Sequence, residues 1–310
     1  MPSYRRPSAL LACLNGLVTQ SRPPDEIVVV LRDEDVESRE RLAAWLSGHA
    51  DAAQAFKLAL VSRPGQLPAL NAGLAAATGE VVAFLDDDCV PQPQWLDRLL
   101  VHYADPCVGG VGGRDVVHCG NSTVEGQVSV VGKYQWFGRP IGNHHLQYAP
   151  GRPVAVDLLK GANMSFRRDL LEGFDEVLQL GAAQCNDLDA SLSVRRRGFL
   201  LIYDPHVVVD HYPSERYGEA TRSYDVPHML FAEGHNWMYV VLKHASWWQV
   251  PVLLGYGFLV GHTRAYGLLR AAAGCLQVGP AMTAWRLRWS LQGKLAGALR
   301  WARSLVGEAH

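Results

Sequence analysis

Val81-Val82-Ala83-Phe84-Leu85-Asp86-Asp87-Asp88 is the stretch on which the reading of this chain turns. Its first five residues are apolar, β-branched or aromatic, the pattern of a short buried strand. Three carboxylates therefore stand where a strand of an α/β sheet hands over to a loop, the place where open sheets bind ligands. Adjacent like charges repel and resist burial without a partner. A hard divalent cation, Mn²⁺ or Mg²⁺, resolves that conflict, and such ions commonly carry a diphosphate. The alternative is a solvated acidic turn.

On either side the sequence alternates strand and helix patterns. Strands are expected at 26–31, 56–61 and 81–85, with helices at 36–48, 67–77 and 93–103. This is the rhythm of a parallel sheet flanked by helices. The Gly-rich run from Val108 resumes extended structure, and residues 120–151 show little periodicity, as in a long loop region over a site. A second block predicts strands at 154–159, 199–203 and 207–209 and helices at 168–172 and 187–197.

The apolar fraction of 48% and charged fraction of 19% fit a folded chain with a sizeable core. The net charge of −1 gives no sign of a nucleic-acid partner. Charge is uneven, however. From His262 onward seven basic residues face one acid, Glu308, leaving 22 basic against 29 acidic elsewhere. The six cysteines form no C-x-x-C pair and no signal peptide opens the chain, so free thiols in a reducing, cytoplasmic compartment are expected.

Seven segments in order carry a resemblance to glycosyltransferase family 2. They are Pro2-Ser3-Tyr4-Arg5-Arg6; Gln20 to Val30, ending Pro24-Asp25-Glu26-Ile27-Val28-Val29-Val30; Arg63-Pro64-Gly65 with Ala69-Leu70-Asn71-Ala72-Gly73; Phe84 to Pro91 with the three aspartates; Lys160-Gly161-Ala162-Asn163-Met164-Ser165-Phe166-Arg167-Arg168; Gly173-Phe174-Asp175-Glu176; and Asn186-Asp187-Leu188-Asp189 with Arg195 and Gly198, closed by His211. The resemblance implies an α/β GT-A fold, a Rossmann-like mixed sheet flanked by helices. The catalytic domain is expected over 1–214 and a C-terminal helical appendage over 215–310.

It also implies roles. Asp88 is the expected metal ligand, with Asp86 and His211 beside it. Asp86 or Asp87 meets the ribose or sugar of a nucleotide-diphosphate sugar, Asp33 or Asp35 meets its base, and Arg63 and Asn71 are further donor contacts, or else a salt bridge and a helix cap. Gly161, Ala162 and Asn163, with Asn186, are expected to line the acceptor and sugar pocket. Asp187 is the expected general base, on the face away from the leaving group, which means inversion. As a helix-starting carboxylate it equally suits an N-cap. No Q-x-x-R-W segment follows, so the resemblance is to a non-processive enzyme adding one sugar.

Two departures stand out. Asn186 occupies a position usually held by Glu. The family also has an apolar strand ahead of its P-x-Y segment, and none precedes Tyr4 here. A truncated start, a groove in the core and two unpaired neighbouring strands are therefore expected.

Six of nine tryptophans lie beyond Glu215. Residues 245–261 carry no charge, but a spanning helix needs ~20 apolar residues and this run has 17. Arg and Trp along 283–305 suit a helix lying on an anionic membrane surface, at the inner face of the cell membrane. Packing on the catalytic domain, or in a homo-oligomer, is the other reading. The acceptor is a lipid-linked saccharide, a polysaccharide or a small molecule. The competing functions are a catalytically impaired sugar-nucleotide-binding scaffold and a nucleotidyltransferase. The second normally carries a basic Gly-rich loop near its N-terminus, absent here.

Overall fold

The computed structural model describes residues 1–120, 122–213 and 226–307. The expected border between residues 214 and 215, and Glu308, lie outside them. The chain divides into two compact units.

The first unit takes in Met1–Lys133, Ile141–Phe174 and Ala190–Tyr217. Its strands are β1 (Pro2–Ser3), β2 (Ile27–Arg32), β3 (Phe56–Val61), β4 (Val81–Leu85), β5 (Cys89–Pro91) and β6 (Val108–Cys119), then β12 (Val154–Val156), β13 (Asn163–Arg167) and β14 (Leu200–His211). Between β6 and β12 lie five two-residue strands, β7 (Ser122–Thr123), β8 (Gln127–Val128), β9 (Lys133–Tyr134), β10 (Pro140–Ile141) and β11 (Gln147–Tyr148). The main sheet runs β12-β14-β6-β13-β4, and β1-β2-β3 form a second, parallel sheet. β13 is antiparallel to both its neighbours, whereas β6 and β14 are parallel. The sheet is thus mixed.

Helices α1 (Pro7–Val18), α2 (Val36–Ser47), α3 (Ala50–Gln54), α4 (Gln66–Ala76) and α5 (Trp95–Leu100) belong to this unit. The motif reading placed no helix at α1. Pro7 opens it, where a missing N–H costs nothing, and Leu10, Cys13, Leu14 and Leu17 at helical spacing enter the core. The expected strands 199–203 and 207–209 are one strand, β14, with a register shift between Asp204 and Val208. Helix α6 (Asn186–Arg196) follows the expected bounds to within a residue.

The expected groove has a physical counterpart. β4 pairs with β13, and the open side of β2 is met by Met1–Ser3. A cavity of about 350 Å³ is lined by Met1, Ile27 and Val28, by Val81 to Leu85, and by Leu70, Trp95 and Leu99. The Met1 amine donates to Val28 O at 2.9 Å, and burial lowers its pKa to about 6. Because β1 runs parallel to β2 with Pro2 opposite Val30, residues fused ahead of Met1 are aimed into the gap. Five β-branched residues added there are expected to raise the melting temperature by several degrees, since filling a cavity recovers ~24 cal/mol per Å³ before ordering costs. Differential scanning calorimetry checks this; an unchanged transition means the gap closes without a strand.

The second unit takes in Tyr134–Pro140, Asp175–Asp189 and Gly218–His310, so two segments from the expected 1–214 domain group with the C-terminal helices. Its helices are α7 (Pro227–Lys243), α8 (Val250–Gly255), α9 (Leu268–Val278) and α10 (Pro280–Leu305). Trp237, Met238, Val241, Leu242 and Leu253 form its core. α7 and α10 touch backbone to backbone. A Cβ on Gly234 would stand 2.7 Å from Ser290 O, and Gly293 and Gly297 press against the carbonyls of Phe231 and His235. Gly293→Ala is expected to cost about 2–4 kcal/mol by urea denaturation, because backbone cannot yield to the added methyl.

Candidate active site

The apolar run of β4 ends at Leu85 and leaves the three aspartates at the carboxyl edge of the main sheet. Asp87 and Asp88 are buried. Arg6, at the start of α1, pairs with both, at 2.6 Å from Asp87 Oδ1 and 3.2 Å from Asp88 Oδ2. Burial pushes the Asp87 carboxyl up to about 7, against the pull of Arg6. Pairing of β5 with β14 sets Cys89 opposite His211.

His211 Nε2 lies 3.5 Å from Asp88 Oδ1, and its Nδ1 lies 3.5 Å from Asp115 Oδ2. Asp115 comes from β6, which runs parallel to β14, and it also pairs with Lys160. Burial pushes the Asp115 carboxyl up, but His211 and Lys160 outweigh it and hold it below the usual carboxylate range.

Ligand atoms of Asp88, Cys89 and His211 all lie within 4.8 Å of one another. Burial drives the Cys89 thiol far up, so it stays neutral and is a weak ligand. Among the described residues, His211 Nε2 is buried with no hydrogen-bond partner. A buried imidazole nitrogen facing a buried carboxylate is a donor pair that Mn²⁺ or Mg²⁺ fits. Asp86 is half-buried and stands outside this trio.

The comparisons decide the family. Residues 1–173 match the model of glycosyl transferase family 2. This chain belongs to glycosyltransferase family 2. A pre-mycofactocin glycosyltransferase of Mycobacterium tuberculosis is 33% identical over 152 residues, 47% of this chain and 30% of that protein. An uncharacterized glycosyltransferase of Nostoc sp. is 33% identical over 194 residues, 63% of this chain and 49% of its own. The chain thus spans less than half the length of either relative. Among solved structures, the mannosyltransferase of Pyrobaculum calidifontis in complex with GDP-Man and Mn²⁺ superposes with a TM-score of 0.56 at 18% identity, covering 95% of this chain and 85% of the other. GalNAc-T7 with UDP, GalNAc and Mn²⁺ gives 0.60 at 15% identity, covering 96% and 54%. At such identities these two speak for the fold, which is GT-A.

Several residues of this family 2 glycosyltransferase serve differently from expectation. Asn71 binds the backbone of Phe174 at both ends of its amide, Nδ2 donating to the carbonyl at 2.9 Å and Oδ1 accepting the N–H at 2.6 Å. It anchors the Gly173-Phe174 turn, where a donor contact was expected. Asn163 was expected in the acceptor pocket. It is buried instead, accepting from Trp95 Nε1 at 2.9 Å and donating to Val207 O at 2.9 Å and Arg114 O at 3.3 Å. Ala162 joins the core, which leaves half-buried Gly161 of that segment nearer the surface. Asn163→Ala is expected to cost about 2–4 kcal/mol by urea denaturation, because buried groups on three elements lose their partner.

Asp33 and Arg63 are exposed, in the loops after β2 and β3. Of the other two carboxylates in its loop, Glu34 accepts from the Tyr4 hydroxyl at 2.8 Å and pairs with Arg32, and Asp35 caps α2 through Ser38 N–H and accepts the Arg5 N–H at 2.6 Å. Asp33 therefore remains the candidate base contact of that loop.

Asp187 is half-buried in the first turn of α6 and accepts the Leu188 N–H at 2.8 Å. Buried Asn186 precedes it. Asp189 is bound by Lys243 at 2.9 Å and by His244 at 2.7 Å. The residues leading into α6 include Ala183 and Cys185, non-glycine residues at φ 50° and 70°. Such backbone costs about 1–3 kcal/mol per residue and gathers at functional sites.

His144 is buried against Leu158 O at 3.2 Å, and burial lowers its pKa to about 4. The unfolded chain then binds a proton there at higher pH than the fold does, so stability falls as pH drops from about 6.5 to about 4. Urea denaturation of His144→Gln across that window is expected to show a shallower loss than the native chain.

Arg6 and Lys160 were quoted above as motif residues without roles, and Asp115 was missed. The one signal for Asp115 was its place two residues beyond the Gly-rich run that ends at Gly113, within β6.

Proposed function

We propose that this glycosyltransferase is inverting and metal-dependent, and moves one sugar from a nucleotide-diphosphate donor to an acceptor hydroxyl. The observation that carries the metal dependence is the facing of Asp88 and His211 across 3.5 Å at the end of β4, with His211 Nε2 making no hydrogen bond among the described residues. Those two residues would hold the cation, which when bound takes up charge on the leaving diphosphate. Arg6 fixes the Asp87 and Asp88 carboxylates, and Asp115 with Lys160 fixes the His211 ring. Asp187 takes the proton from the acceptor hydroxyl as the oxygen attacks the anomeric carbon and the bond to the diphosphate breaks. The strained approach to α6 supports this role. Exposed Asp33 and Arg63 and half-buried Asp86 would meet the nucleotide.

The acceptor is a lipid-linked saccharide, a polysaccharide or a small molecule met at the inner face of the cell membrane. Asn186, where the family usually has Glu, favours the impaired-scaffold reading.

Thermal shift with UDP-, dTDP- and GDP-sugars, each with and without Mn²⁺, tests the proposal. One donor is expected to raise the melting temperature by about 5–10 °C, and only with metal. An equal rise without metal would remove the cation, and no rise with any donor would overturn the donor site itself.

A further inference from the structure

Helix α9 is turned inside out for a water-facing helix. At about 100° per residue, Leu268, Leu269, Ala272, Ala273 and Leu276 share one face. That face is exposed, with Leu269 at 65% and Leu276 at 93%. The opposite face, turned inward, carries Ala271 and Gly274. Small residues thus pack against the unit while leucines face outward, the reverse of the usual arrangement. α10 repeats the pattern. Leu295, Leu299 and Ala302 fall in one exposed stripe, and Gly293 and Gly297 on the far side meet α7. Trp247, before α8, is 85% exposed. So much exposed apolar surface in a small unit marks a docking face.

Charge selects the occupant. From Ala245 to Gly307 the chain has no Asp or Glu but has Arg264, Arg270, Arg286, Arg288, Lys294, Arg300 and Arg303. Arg264, Arg288 and Arg303 are exposed, and at about 100° per residue Arg288 and Arg303 fall beside the apolar stripe of α10. A second copy would bring the same cations against them, and like charges facing each other are costly. Among the described residues no helix is long and apolar enough to cross a membrane. Leucine and tryptophan beside arginine with no acid fits an anionic bilayer surface.

We infer that α9 and the outer stripe of α10 form the face that lies on an anionic membrane, with Trp247, Leu269, Leu276, Leu295 and Leu299 entering the headgroup layer. This deepens, and rests on, the membrane location proposed above.

Flotation of the full chain with vesicles tests it without any donor, so its failure is separate from failure of the catalytic reading. Vesicles of phosphatidylcholine with about a quarter phosphatidylglycerol are expected to carry the protein at low salt, and pure phosphatidylcholine to carry at least tenfold less. L269E/L276E is expected to weaken binding by about 100-fold or more, and R288E/R303E by about tenfold. All four positions are exposed, so circular dichroism and melting temperature should stay at native values. The inference is overturned if the native chain leaves anionic vesicles untouched, if neutral vesicles carry it equally, or if the folded leucine variant binds like the native chain. Light scattering that finds a dimer abolished by L269E/L276E, with no vesicle binding, overturns it in favour of a second copy.

Discussion

Asp187→Asn is expected to keep donor binding and lose transfer, with kcat falling by about 10²–10⁴. The substitution changes an oxygen to an amide nitrogen and little else. Its remaining carbonyl oxygen can still accept the Leu188 N–H, so that contact in the first turn of α6 is kept. What vanishes is a group able to take a proton. Donor affinity, read by thermal shift with Mn²⁺, should move by less than about threefold, because the base acts on the acceptor. Asp189→Asn is the matched contrast. Its carboxylate is already engaged by Lys243 and His244, so the loss should fall on stability, about 1–3 kcal/mol, with kcat largely kept. Native turnover by Asp187→Asn would remove Asp187 from the chemistry.

Asp88→Ala is expected to abolish the metal-dependent part of the donor shift. Asp88 is buried between Arg6 and His211, and the other carboxylate beside His211, that of Asp115, stands on the ring's opposite nitrogen and is already paired with Lys160. The fold should survive, because Tyr212 N–H donates to the Asp88 main-chain carbonyl at 2.8 Å whatever the side chain. Removing one of three adjacent carboxylates also relieves repulsion. His211→Ala should weaken the Mn²⁺ response by about tenfold or more without ending it. Titration of Mn²⁺ at fixed donor separates the two variants. An Asp88→Ala protein with an undiminished Mn²⁺ effect would place the cation elsewhere.

β2, β3 and β4 were legible because each is a short apolar run bounded by polar or turn residues, and local pattern suffices for such strands. β6 and β14 read as shorter because Arg114 and Asp115, and Pro205 and His206, interrupt the apolar pattern. In three dimensions the two strands pair with each other across that break through the register shift at Asp204 and Val208.

The site divides along the same line. Asp88 and His211 were named from motifs. The Arg6 and Asp115 partnerships were not, since they join residues 82 and 96 positions apart and only the sheet brings them together. Asn71 and Asn163 show the opposite difficulty. An amide suits a ligand and a backbone carbonyl equally well, and nothing in the linear chain reveals that Phe174 and Val207 lie within reach.

The α7–α10 contact has a consequence for solvent. A core held by water exclusion weakens when its surroundings become apolar. This contact is held otherwise, by backbones that close on Gly234, Gly293 and Gly297 and by the Lys294 ammonium, which donates to the carbonyls of Gly257, Ala265 and Tyr266 at 2.6, 2.9 and 2.8 Å. Close van der Waals fit and buried hydrogen bonds are the forces that join helices within lipid. The α7–α10 contact should therefore persist in detergent micelles or mixed alcohol at strengths that loosen the leucine- and valine-rich core of the first unit.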